Sequence, residues 1–379
     1  MFPSVTGARR LLPLIRFVST ATAKQKPALR RHSMCFVYSI REGRRLNFGE
    51  SVLDRITDED EATVSLYQYG DNVAIDSIHP DAIHLVAGRL PGCPLSRKNR
   101  VNYGNVLTGQ STGMKRPHIA VASVCLLQSP NADGLLLTQR PWHMRSYPGV
   151  WVPPGGHCEF AEPPQVAAVR ELCEELGFDA AVKGRWEEEV NITPSSLIPL
   201  CAWEATYPCY SPSPIYHQLV LYFVATWPQW LNSQTHFVRT SSFQNVSSSF
   251  RPPLPRLNLQ SDEVRTAIWL PTSVLEWIIQ DWALFQSLGR NSSGANKSPL
   301  TSSGTVESSK LSTPIWYWQN ESRCWDLKAA NEFMCPLKPQ GRREPEDCSS
   351  AKDLSKPTPV STGTAYAVTN WLSKLHQLD

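Results

Sequence analysis

The stretch PGGHCEFAEPPQVAAVRELCEELGF (Pro154–Phe178) constrains this 379-residue chain more than any other. It gathers five carboxylates, Glu159, Glu162, Glu171, Glu174 and Glu175, around one cation, Arg170. Pro163 and Pro164 suit the first turn of a helix, where no backbone N–H is needed. Gly177 falls where a left-handed C-terminal cap belongs. Advancing about 100° per residue from Glu171 puts Glu174 about 60° to one side and Glu175 about 40° to the other, so three acids share a face. Val166, Val169, Leu172, Cys173 and Leu176 gather opposite, on the side expected to pack against a sheet. Ala167 and Ala168 lie one turn back and leave room for a ligand.

Like charges at i and i+4 destabilise a helix by roughly 0.2–0.5 kcal/mol, and the repulsion grows in a cleft as the effective dielectric falls. Mg²⁺ or Mn²⁺ would relieve it, since hard divalent cations prefer oxygen ligands and accept water and phosphate as partners. Arg170 can instead pair with Glu162 at the helix start and brace the preceding loop. The Pro-Pro-Gly-Gly turn lets backbone approach a metal or phosphate closely. A solvated acidic face would explain E-x-x-E-E by itself; the rest of the spacing points further.

Around this stretch, Cys35–Ile40 and Thr63–Tyr69 read as short strands. His118–Ser129 and Leu135–Arg140 read as a hairpin across the turn Pro130–Gly134. Val150–Gly156 is a short strand ended by prolines and glycines. Ile198–Pro208, His217–Trp227 and Val264–Leu270 supply three more strands, and Thr272–Leu288 has the apolar spacing of an amphipathic helix. Interleaved strands, hairpins and helices predict an α+β fold with a mixed sheet. Residues 232–261 and Gly289–Lys310 are rich in Ser, Asn, Gly and Pro, as a long loop and a linker are. The expected organisation is a basic segment 1–34, a small region 35–115, a core domain 116–288, a linker 289–315 and an extension 316–379. That extension has scattered Trp and Cys and ends in an amphipathic helix.

Composition excludes several classes. The net charge of +3 hides an acid-free N-terminal segment with seven Lys and Arg, so the rest of the chain is net acidic. Extended nucleic-acid binding calls for a more basic surface, which confines any such contact to a site. Ten cysteines are scattered without a C-x-x-C or zinc-ligand spacing, so no zinc is expected. A chain of this size does not call for a disulfide framework, and free thiols imply a reducing compartment. No apolar run approaches the ~20 residues of a membrane span. The expected location is the cytoplasm, with a mitochondrial alternative carried by the Arg-rich N-terminus. Gly109–Gly113 matches a nucleophile elbow, but no helix pattern follows, so it is read as coincidence.

The spacing Gly156, Glu162, Arg170-Glu171-Leu172, Glu174-Glu175, Gly177-Phe178 resembles the complete Nudix box, residues 156–178. The resemblance implies a mixed sheet sandwiched between helices over 116–288. It implies hydrolysis of a nucleoside diphosphate linked to another group, with Mg²⁺ or Mn²⁺. It makes Glu171, Glu174 and Glu175 metal ligands, Gly156 a carbonyl donor, and Arg170–Glu162 a structural pair within the catalytic motif. Glu174 or Glu175 would act as the base, with Glu159 a weaker candidate.

Trp203–Pro208, Tyr216–Phe223, Asp262–Leu270 and Ser361–Leu372 are similar to a branch of that family that hydrolyses the 7-methylguanosine cap of mRNA, releasing 7-methyl-GDP. The expected partner is therefore capped RNA. NAD(H) or another dinucleotide is the alternative substrate, although the four-cysteine zinc site of many NAD(H)-cleaving members is absent. A reader of the cationic methylguanine needs aromatic faces, and Trp142, Tyr147 and Trp203 are the candidates. His217 reads as a hydrogen-bonded fold residue. An inactive binding or scaffold module is the non-enzymatic alternative, and it should have lost box acids that are all present here.

Overall fold

A computed structural model describes residues 34–75, 82–99, 118–177, 192–209, 214–227, 252–282, 313–335 and 357–377. The elbow-like match at 109–113, read as coincidence, the linker 289–310, the last turn and a half of the predicted helix to Leu288, and Phe178 lie outside them.

The first five strands come from the 35–115 region: β1 (Val37–Ser39), β2 (Arg44–Arg45), β3 (Glu61–Tyr69), β4 (Asn72–Ile75) and β5 (Ile83–Arg89). The central set is β6 (Ala120–Gln128), β7 (Gly134–Gln139), β8 (Trp151–Val152), β9 (Gly155–His157), β10 (Ile198–Tyr207), β11 (Tyr216–Thr226) and β12 (Thr266–Pro271). The C-terminal extension adds β13 (Pro314–Gln319) and β14 (Cys324–Ala329). Among the described residues, three helices longer than one turn accompany them: α1 (Pro164–Leu176), α2 (Thr272–Ile279) and α3 (Thr362–Leu375). Among the described residues no helix is long and apolar enough to cross a membrane.

The strands form one mixed sheet in the order β14-β13-β12-β7-β6-β11-β10-β5-β3-β4-β1-β2. Strands β1 to β5, from the region 35–115, and β13 and β14, from the extension 316–379, flank the central strands in this sheet. β5 joins β10 in parallel, and β13 joins β12 antiparallel. Strands β13 and β14 were not anticipated, because tryptophans spaced along a short segment show no clear period until a partner strand fixes the register.

Within the hairpin, β6 and β7 pair only at Leu127–Leu136 and Gln128–Leu135 and then part. β8 continues the pairing with β7, and β9 continues it with β6. The predicted strand Val150–Gly156 is thus two strands. Pro153 and Pro154, which have no N–H for a ladder, carry the chain from one arm of the hairpin to the other. This split is what opens the sheet beside the acidic helix.

Alternate strand residues feed two cores, as a period of two requires. Val121, Cys125, Leu127, Leu219, Leu221 and Phe223 pack with α1 on one face. Ala122, Leu126, Val220, Tyr222 and Trp203 pack with α2 and α3 on the other. The sheet is therefore enclosed by helices on both sides.

Candidate active site

Helix α1 begins with Pro163 as its N-cap and Pro164 in the first turn, and it ends at Gly177 with φ 59°. Leu172, Leu176 and Val169 are buried as expected, but Val166 is 39% exposed and Cys173 only partly buried, while Ala167 and Ala168, expected to leave room for a ligand, are packed into the core. The helix is turned so that Glu171 and Glu175 lie inward, 8% and 6% exposed. Gly156 faces the Glu171 carboxylate so closely that a Cβ there would collide with it. The Gly155 N–H donates to Glu175 Oε1 at 3.3 Å. Burial pushes the Glu175 carboxyl well above the usual carboxylate range; the Glu171 charge adds to this, while the Gly155 N–H and Arg140 oppose it. Burial raises Glu171 as well, against the pull of Arg170.

Arg170 pairs with Glu162 through Nε at 2.8 Å and Nη2 at 2.9 Å. Glu162 also accepts the Glu159 N–H at 2.9 Å, and Arg170 donates to the His157 carbonyl at 3.1 Å. The brace inferred from spacing therefore holds the 157–162 loop on the helix. Its hydrogen bonds to Glu162 are the main reason the Arg170 pKa is raised. Arg170 Nη1 also reaches Glu171 at 2.8 Å and Glu174 at 3.1 Å.

The third acid differs from expectation. Glu174 has a side chain 53% exposed and paired with Arg170, so it stands outside the inner cluster. The reason is angular: Glu171 and Glu175 are about 40° apart, and Glu174 lies about 100° round from Glu175. Once β9 packs over the arc holding the first two, the third is left at the solvent edge.

The inner cluster consists of Glu171, Glu175 and Glu263, with carboxylate oxygens all within 4.8 Å of one another. Residue-by-residue reading missed Glu263, which lies 88 residues beyond Glu175. Its delivery has a local cause. The helix leaves orphan carbonyls at its end, and the Asn258 and Gln260 N–H groups satisfy those of Leu176 and Glu175 at 3.0 and 3.2 Å. Glu263 and Val264 N–H groups then turn back onto the Gln260 carbonyl at 2.9 and 2.8 Å. The last part of the Ser/Asn/Pro-rich stretch, expected to be loose, is a seated loop with Leu257 in the core.

A cavity of about 820 Å³ opens from this cluster across the sheet. Tyr147 and Trp203 line it, together with Tyr216 and Tyr222. Tyr147 adopts φ 52°, donates from its hydroxyl to the Thr206 carbonyl at 3.2 Å, and lies 4.6 Å from the Tyr207 ring. Trp203 is only 2% exposed and stacks on Tyr366 of α3 at 4.8 Å. Trp142 does not border the cavity; it packs against the backbone of Gly149. The first turn of α3 closes the cavity through Ser361, Gly363 and Thr364.

His217 sits in a buried pair. Its Nδ1 accepts the Gly49 N–H at 3.2 Å, so Nε2 carries the proton and donates to Glu204 at 3.0 Å. Glu204 also accepts from Ser51 Oγ and from the Val52 and Leu53 N–H groups at 2.9, 2.7 and 3.2 Å. This network ties the 47–53 segment to β10 and β11.

Residues 116–282 match the family model described as NUDIX domain. Three curated relatives carry the name m7GpppN-mRNA hydrolase NUDT17. The chain is 32% identical to that of Danio rerio over 165 residues, 42% of this chain and 44% of the relative. It is 26% identical to that of Xenopus laevis over 256 residues, 67% and 65%. It is 37% identical to that of Homo sapiens over 194 residues, 49% and 47%. The chain thus spans 44% to 65% of the length of these relatives.

Proposed function

We propose, from the match of residues 116–282 to the NUDIX domain, that the chain hydrolyses a phosphoanhydride bond, that of the 7-methylguanosine cap of mRNA, releasing 7-methyl-GDP. The observation that carries this reading is the placement of Glu171, Glu175 and Glu263 at one end of a cavity whose walls include Tyr147, Trp203, Tyr216 and Tyr222. The names of the three relatives supply the substrate class.

The donor set fits Mg²⁺ or Mn²⁺. It is all oxygen, two of its members are buried, and burial disfavours both as bare anions. Glu171, Glu175 and Glu263 would hold the ion, with Gly156 leaving the space it needs. When bound, the ion would supply Lewis acidity toward a phosphoryl oxygen and make a water more acidic. Arg170 fixes the loop over the helix and keeps Glu171 oriented. Gly155 holds one oxygen of Glu175 and leaves the other to accept a proton from the attacking water. Tyr147 and Tyr216 offer ring faces to the cationic base.

Capped RNA and NADH supplied at equal concentration with Mn²⁺ form the deciding assay. Faster release of 7-methyl-GDP supports the reading, and faster NADH cleavage replaces it with a dinucleotide pyrophosphatase. Turnover of neither substrate would leave the binding-module alternative.

A further inference from the structure

Arg140, at the end of β7, lines the same cavity as the acid cluster. Its Nε donates to the Ser146 carbonyl at 3.3 Å, and its backbone N–H donates to Val150 at 3.0 Å. Among the described residues it makes no ion pair, and its two Nη groups have no hydrogen-bond partner. The contrast with the other inward arginines is direct. Arg89 is held by Asp54 at 2.6 Å and Asp60 at 2.9 Å, and Arg170 by three glutamates. Arg140 is half-buried, and its unpaired Nη groups are left to the cavity, where an anion can take them.

Glu175 and Glu263 lie near enough for their charges to act on Arg140, yet neither is within ion-pair distance. Glu175 is kept back by its bond to the Gly155 N–H, and Glu263 by the 258–264 turn. The guanidinium and the carboxylates therefore face a shared space without closing on each other. We propose that Arg140 is a phosphate-binding residue, its two Nη groups gripping a phosphate of the substrate across the cavity from Glu171, Glu175 and Glu263. The Ser146 carbonyl sets the plane of the guanidinium, and a planar fork with two free nitrogens matches two phosphate oxygens. The anion would supply both the missing hydrogen bonds and the counter-charge.

This inference rests on the phosphoanhydride reading but not on which base the substrate carries, so its probe is base-free. Inorganic pyrophosphate is titrated calorimetrically into the full chain and into Arg140→Gln and Arg140→Lys, with Mn²⁺ binding followed separately by electron paramagnetic resonance. Arg140→Gln is expected to weaken pyrophosphate at least about 10-fold with unchanged Mn²⁺ affinity. Arg140→Lys, which keeps the charge and stem but loses the fork, should fold like the parent and weaken pyrophosphate less than Gln does. Equal pyrophosphate affinity in parent and both variants overturns the assignment, as does absence of pyrophosphate binding by the parent. Loss of Mn²⁺ and pyrophosphate together, in either variant, also overturns it by making Arg140 a support of the acid cluster. A preference for NADH over capped RNA would change the proposed substrate and leave this result standing.

Discussion

The backbone N–H of Gln260 donates to the carbonyl of Glu175 at 3.2 Å, so the end of the acidic helix and the loop carrying Glu263 are a single assembly. Two of the three inner acids come from one helix, and the third arrives by capping it. The hydrogen bonds that finish α1 also bring in the acid that completes the cluster.

Glu171→Gln, Glu175→Gln and Glu263→Gln should each lower turnover by about 100-fold or more and weaken Mn²⁺, more than the 10–100-fold typical when only a ligand's hydrogen-bond partner is lost. Glu174→Gln should cost far less, since its carboxylate is half exposed and paired with Arg170. Steady-state kinetics with Mn²⁺ titrated decides the order. A larger loss at Glu174 than at Glu263 would return the site to the three-acid face of the helix.

Gly177 takes φ 59°, and a Cβ on it would run into the Asn258 carbonyl. Gly177→Ala therefore adds left-handed strain of about 1 kcal/mol or more and pushes the 258–263 loop away. The expected result is a lower urea midpoint together with weaker Mn²⁺ binding. Unchanged Mn²⁺ affinity in a destabilised variant would separate the cap from Glu263.

Glu171 and Glu175 both hold protons more readily in the folded chain than in the unfolded one. A raised folded-state pKa contributes stability that is full below the unfolded pKa, about 4.3 for Glu, and is lost as pH rises through the folded value. In EDTA the melting temperature of the parent, relative to Glu175→Gln, should fall as pH rises from about 5. Mn²⁺ should restore the parent and not the variant. Parallel melting curves against pH for the two proteins would show that Glu175 carries no such cost.

The His217–Glu204 pair is fully buried, with both side chains at 0% exposure. Breaking it with His217→Ala should destabilise the chain by about 1–3 kcal/mol, because buried Glu204 loses one of its donors and the Gly49 N–H loses its acceptor. Chemical denaturation measures this. Activity lost at unchanged stability would instead assign the pair to the chemistry.

Removing residues 357–379 should yield a chain that fails to fold cooperatively. The Trp151 N–H donates to the Pro359 carbonyl and the Ser361 N–H to the Trp151 carbonyl, Thr358 Oγ1 donates to the Gly149 carbonyl, and Tyr366 covers Trp203. A soluble truncated chain with a cooperative melt and parental turnover would make the segment dispensable.

The glutamate–arginine brace was legible in the chain before any coordinates, and so were the sequence of central strands and the terminal helix. These depend on residues within about eight positions of one another or on short periodic runs, where helical and strand geometry fix relative placement. The aromatic candidates were legible only as types. Trp142 turned onto Gly149 through the course of an irregular loop, and Trp203 onto Tyr366, a packing partner far along the chain.

Local geometry could say that Glu171, Glu174 and Glu175 share a face, but not which part of that face would be covered. The position of β9 chose Glu171 and Glu175 and left Glu174 at the edge. Capping of the helix end brought Glu263 across a gap no periodicity spans, and the sheet set Arg140 on the wall of the same cavity as the acids. Such outcomes depend on which distant backbone groups pair and which faces are buried together, and those are settled by the packing of the whole sheet, not by the spacing of neighbours.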